Sequence, residues 1–199
     1  MLTHLRGVIF DLDGTLVDSG LDFAAIRRET GFPEGVGLLE HLERLGEGPE
    51  SERAEAIILR HEMEGARGAS WMPGARGLLQ ALDALGRPLG IVTRNNREAA
   101  EYMLVSLGIP CRDLLAREDA PAKPDPAGLL EISRRWAIDV ADLVYVGDHL
   151  FDLQAARNAG MLACWYDSGL GRDFDDHADV VVTHFDDLAN LLLEEGESS

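Results

Sequence analysis

Cysteine is scarce in this chain of 199 residues, lysine scarcer still, and no apolar run is long. The two cysteines, Cys111 and Cys164, stand far apart. That excludes a disulfide framework and a zinc knuckle, both of which need cysteines in sets. No stretch approaches the roughly 20 apolar residues of a membrane-spanning helix. The first apolar segment, Leu5 to Phe10, stops at Asp11 and offers neither the core nor the cleavage site of a secretory signal. The expectation is a soluble protein of a reducing compartment, the cytoplasm, with no membrane partner. Positive charge is also short: 18 basic residues against 36 acidic ones leave a net charge of -18. Such a field repels phosphate backbones and excludes nucleic-acid binding through a basic surface. Small anionic substrates stay open wherever a metal or local cation overrides the field. The oligomeric state is not legible.

What is present is globular, with 46% hydrophobic and 27% charged residues, and long enough for one domain with a modest insertion. Val8-Ile9-Phe10, Leu89-Gly90-Ile91-Val92 and Leu143-Val144-Tyr145-Val146 read as buried parallel strands. Leu114-Leu115-Ala116, Met161 to Trp165 and Val180-Val181-Val182 add weaker ones. Between them Leu78, Leu79, Leu82 and Leu85, then Ala100, Met103, Leu104 and Leu107, then Leu129, Ile132 and Trp136 repeat at helical spacing. Strand and helix alternating in this way predict an α/β fold, a doubly wound parallel sheet with helices on both faces.

One segment breaks the rhythm. From 17 to 72 there are three helical patterns, around Ile26, around Leu42 and after Gly48-Pro49, and no convincing strand. Residues 1–16 and 73–199 are therefore expected to form the core, with 17–72 an all-helical cap over the first strand's carboxyl end, where open α/β sheets bind ligands. Glu194 to Ser199 reads as an acidic tail.

Four clusters carry chemistry. Asp11-Leu12-Asp13-Gly14-Thr15 follows the first strand directly. Two carboxylates two residues apart in extended chain face one way and need a cation or a shared proton; hard oxygen ligands suit Mg²⁺. Asp148, after Val146-Gly147, is placed to complete a metal site with Asp11, and Asp152 either anchors the shell around it or is an ordinary helix N-cap. Thr93-Arg94-Asn95-Asn96 offers a hydroxyl and backbone N–H groups as an anion cradle, or plain helix capping. Lys123 is the one lysine among 18 basic residues; the other 17 are arginine. Set between prolines in Ala122-Lys123-Pro124-Asp125-Pro126, it marks a place that needs a compact ammonium.

Other patterns fail. No Gly-x-x-x-x-Gly-Lys loop or Gly-x-Ser-x-Gly elbow occurs, and His61-Glu62 lacks the second histidine of a zinc helix. Asp173, Asp175 and Asp176 lack the glycine and glutamate of a calcium loop.

In this order, at these strand ends, the four clusters resemble the haloacid dehalogenase-like hydrolase superfamily. The 17–72 insertion is similar to the helical cap of its phosphoglycolate phosphatase-like branch. The resemblance implies a phosphatase for a small phosphorylated metabolite. Asp11 would be the nucleophile that forms an aspartyl-phosphate, and Asp13 the acid and base. Mg²⁺ would be held by Asp11, Asp148 and the Asp13 carbonyl, with Asp152 behind them, and Thr93, the Arg94 N–H and Lys123 would hold the phosphoryl oxygens. The second aspartate favours phosphoryl chemistry over dehalogenation, since only the former needs a protonated leaving group. His149 departs from the small hydroxyl residue usual after the metal aspartate, and Arg27 and Arg28 are the cap cations that could meet a substrate anion. Two alternatives stand: a phosphomutase similar to β-phosphoglucomutase, and a receiver-type signalling domain in which a phosphoaspartate is a switch.

Overall fold

The computed structural model of the chain describes residues 2–193; the acidic stretch 194–199 lies outside them. Six strands, β1 (Gly7–Phe10), β4 (Leu89–Val92), β5 (Asp113–Leu115), β6 (Leu143–Gly147), β7 (Leu162–Tyr166) and β8 (Val180–Val182), form one parallel sheet in the order β5-β4-β1-β6-β7-β8. The chain runs outward from β1 to β4 and β5, then crosses back to β6 on the other side. That change of direction opens a crevice at the carboxyl end of β1, the usual ligand position in such sheets.

Alternation along each strand builds two cores. Val8, Phe10, Leu89, Ile91, Val144 and Val146 face α4 (Ala75–Ala84), α5 (Arg97–Leu107) and α8 (Phe185–Leu193). Ile9, Val92, Leu143, Tyr145 and Trp165 face α6 (Ala127–Trp136) and α7 (Leu150–Ala159). Burial on both faces explains why these strands read as continuous apolar runs. Left-handed glycines at 31, 108 and 160 end the helices before them.

The insertion contains α1 (Phe23–Thr30), α2 (Leu38–Leu45) and α3 (Pro49–Gly68), gathered on a small cluster of Ile26, Phe32, Leu38, Ala54 and Ile58. One expectation fails here, because the segment is not all-helical. Val17–Asp18 (β2) pairs antiparallel with Ser70–Trp71 (β3), closing the neck of the insertion. Strands of two residues leave no periodicity to read. β5 and β7 also sit one residue away from their expected bounds. Among the described residues no helix is long and apolar enough to cross a membrane.

Two glycines make room for Trp136. A Cβ on Gly7 would lie 2.8 Å from the Trp136 ring and 2.8 Å from Leu143, and one on Gly90 would lie 3.0 Å from the same indole. The ring has little freedom to retreat, since its Nε1 donates to Asp113 Oδ2 at 2.7 Å. Gly7→Ala should cost about 1–3 kcal/mol by overpacking. Thermal denaturation would register it as a fall in Tm of roughly 2–4 °C per kcal/mol. An unchanged Tm would contradict this seat for the indole.

Candidate active site

The loops after β1, β4, β5 and β6 converge at one end of the sheet. β1 delivers Asp11, whose N–H donates to the Val146 carbonyl at 2.8 Å, so the ends of β1 and β6 are locked together. Gly14 then turns at φ +86°, and a Cβ there would stand 2.9 Å from Asp148 Oδ1. Glycine is required by the conformation and by the contact. Gly147 is equally constrained, because its Cβ would fall 2.3 Å from that of Asp152.

Lys123 is the hub. Its ammonium, almost wholly buried, donates to Asp11 Oδ1 at 2.7 Å and Asp152 Oδ1 at 2.6 Å. It also reaches Tyr145 Oη at 2.8 Å and the Val92 carbonyl at 3.2 Å. The Tyr145 hydroxyl in turn donates to Val92 at 2.8 Å. Although burial disfavours the charge, Asp11 and Asp152 outweigh it and hold Lys123 above the ordinary lysine range. Asp11, Asp148 and Asp152 each bring one carboxylate oxygen within 4.8 Å of the others. A buried set of three hard oxygens fits a small divalent cation such as Mg²⁺.

Burial, opposed by Lys123 but reinforced by Asp152 and Asp148, pushes Asp11 up to about 7. Asp148 is raised by burial and by Asp152, against the pull of Arg172. Asp13 is also raised by burial, although both of its oxygens accept from Ser19: Oδ1 from the N–H at 3.0 Å and Oδ2 from the hydroxyl at 2.6 Å. Its side chain thus turns to Ser19, while the carboxylate beside Asp11 and Asp148 is that of Asp152.

Asp152 is not the N-cap of α7 but stands three residues after it, at N3. Its Oδ1 faces Lys123, and its Oδ2 accepts from the His149 N–H at 3.0 Å in a capping box that starts α7. His149 is the N-cap itself, and its ring packs on Phe151 and Phe174. Thr93 does not cap α5; Asn96 does, accepting from the Ala99 N–H at 2.9 Å. The Thr93 hydroxyl, buried beside Lys123 in the lining of a small cleft, accepts from the Asn95 N–H at 3.1 Å. The Arg94 side chain reaches Glu40 of α2 at 2.5 Å and lies over the Phe151 ring, 5.3 Å from its centre. Arg27 and Arg28 are engaged locally, with the Pro33 carbonyl and Asp22.

Several groups escape sequence reasoning: Tyr145 reads as a strand residue, and no motif marks Ser19 or Arg172. Buried Glu62 of α3 accepts from Asn96 Nδ2 at 2.6 Å and from Arg117 at 2.8 and 3.2 Å, tying the insertion to the core. Its helix looked only like a failed zinc motif, and His61 pairs with Glu29 instead. Both cysteines are free thiols, and burial pushes each up to about 12.

A family model described as haloacid dehalogenase-like hydrolase matches residues 8–166. A haloacid dehalogenase-like hydrolase domain-containing protein of Arabidopsis thaliana is 33% identical over 177 residues, covering 83% of this chain and 72% of its own. A phosphoglycolate phosphatase of Rhodospirillum rubrum is 31% identical, covering 94% of this chain and 89% of its own. Among solved structures, a predicted phosphoglycolate phosphatase from Haemophilus somnus superposes with a TM-score of 0.78 at 21% identity. That pair covers 96% of this chain and 99% of the other.

The raised Asp11 carboxyl has a consequence for stability. The folded, metal-free protein keeps a proton that the unfolded chain releases from 3.8 upward. As pH rises from about 4 to about 7, the folded state binds the extra proton and loses stability from this group. Asp11→Asn cannot ionise and escapes that loss. The Tm of the variant minus that of the wild type, measured in EDTA, should therefore grow across this window. A difference that stays flat or shrinks would contradict the charge balance described for the cluster.

Proposed function

This chain belongs to the haloacid dehalogenase-like hydrolase family, and from that premise we propose that it is a Mg²⁺-dependent phosphatase of a small phosphorylated metabolite. The observation that carries the reading is Lys123 joining Asp11 to Asp152 at the ends of β1 and β6, with Asp148 and Thr93 beside them. Its relatives include a phosphoglycolate phosphatase, and phosphoglycolate is a first compound to test.

Asp11 is the nucleophile. It attacks phosphorus, the ester oxygen leaves, and an aspartyl-phosphate forms that water then cleaves, so one difficult displacement becomes two. Asp13 gives its proton to the leaving oxygen and takes one from the water. A carboxyl raised by burial suits that double role, and Ser19 holds it in place. Lys123, the Thr93 hydroxyl and the Arg94 N–H hold the phosphoryl oxygens. Asp11, Asp148 and the Asp13 carbonyl would hold Mg²⁺, with Asp152 among the supporting carboxylates. When bound, the ion supplies the positive charge that lets an anionic nucleophile approach an anionic phosphate.

Residues 17–72 act as a cap that shields this chemistry from bulk water. An insertion directly after β1 favours an enzyme over a receiver-type switch. Two free thiols accord with the reducing cytoplasm as its location.

The test is phosphate release from a panel of monoesters, in Mg²⁺ and in EDTA. Turnover should need the metal, vanish in Asp11→Asn, and fall by about 10²–10⁴ in Asp13→Asn. Turnover that survives Asp11→Asn would sink the proposal. Phosphate returned to a second position of the substrate would mark a mutase instead.

A further inference from the structure

The loop after β7 reaches back into the acidic cluster. β7 lies next to β6, so its carboxyl-end loop falls beside Asp148. Gly169 and Gly171 take left-handed backbone, at φ +80° and +69°. Phe174 anchors the far end against Trp165, with ring centres 5.5 Å apart. Between these anchors Arg172 turns inward, and its Nη1 donates to Asp148 Oδ2 at 2.7 Å and to the Asp148 carbonyl at 3.3 Å.

The two oxygens of Asp148 are thereby made unequal. Oδ2 carries the guanidinium, whereas the partner of Oδ1 is the Thr15 hydroxyl at 3.4 Å. An exposed ion pair would mean little, but Asp148 is buried and Arg172 grips its backbone as well as its side chain. Mg²⁺ demands a tight octahedron and draws one oxygen from a carboxylate. Ca²⁺ accepts six to eight ligands and readily takes carboxylates through both oxygens. A carboxylate with one oxygen tied to a guanidinium cannot turn to offer the pair.

We infer that Arg172 is a positioning residue that restricts Asp148 to one-oxygen ligation and so selects Mg²⁺ over Ca²⁺. The inference rests on the divalent-metal reading of the same cluster. Removing a nearby positive charge raises affinity for any cation, so the informative quantity is the ratio between the two ions.

Isothermal titration calorimetry of the full chain with MgCl₂ and with CaCl₂ tests this. In Arg172→Gln the preference should shift toward Ca²⁺ by about tenfold, the scale on which groups supporting a metal ligand act. Arg172→Lys keeps a cation on Oδ2 and should stay close to the wild-type ratio, and Asp148→Asn should abolish binding of both ions. An unchanged ratio in Arg172→Gln, equal loss of both ions, or binding that survives Asp148→Asn overturns the inference. A wild-type chain that binds neither ion fails differently, because it removes the metal reading itself.

Discussion

Three carboxylates and one ammonium share the space at the carboxyl ends of β1 and β6, and that ammonium ties together the segments that carry two of them. Lys123 draws Asp11 and Asp152 together across 112 and 29 residues of sequence. Asp152 simultaneously starts α7 by accepting from the His149 N–H. One carboxylate therefore couples a helix start to the buried cation. Buried ion pairs of this kind are poor sources of stability, since desolvation offsets the attraction. The upward push on Asp11, Asp13 and Asp148, caused first by burial, reflects that cost.

Much of this arrangement was legible because it is local. Asp11, Asp13 and Gly14 lie within four residues, directly after an apolar run, and the run alone places them at a strand end. Lys123 was legible through composition, as the one lysine in an arginine-rich chain. Residues that act across long separations were not. Tyr145 is an unremarkable apolar position until the fold brings it to Lys123, and Arg172 sits in a loop whose glycines and aspartates suggest only solvent. Glu62 looks like one acid among many on a charged helix. Only packing shows that it is buried between Asn96 and Arg117. The neck ribbon is too short for any pattern.

Those long-range contacts decide how the insertion sits. Glu62 bonds Asn96, which caps α5, and Arg117, which follows β5, so α3 is fixed to the same two loops that border Thr93. Arg94 adds a second tie, from the β4 loop to Glu40 of α2, while lying over Phe151 in the first turn of α7. Because β4 and β6 flank β1, this side chain spans the crevice in which Asp11 stands. Polar contacts thus cross the crevice from α2, while α3 also rests on the core through Ala66 and Met63.

The choice of lysine at position 123 follows from the same geometry. Asp11, Asp152, Tyr145 and the Val92 carbonyl converge on one nitrogen. An ammonium directs its three protons from a single centre. A guanidinium spreads five across a rigid plane and suits a forked partner instead, as Arg117 does with the two oxygens of Glu62. Elsewhere in the chain arginine serves for every positive charge, on helix surfaces, across the insertion and at Asp148. Only where four acceptors crowd one point does the chain use the compact cation.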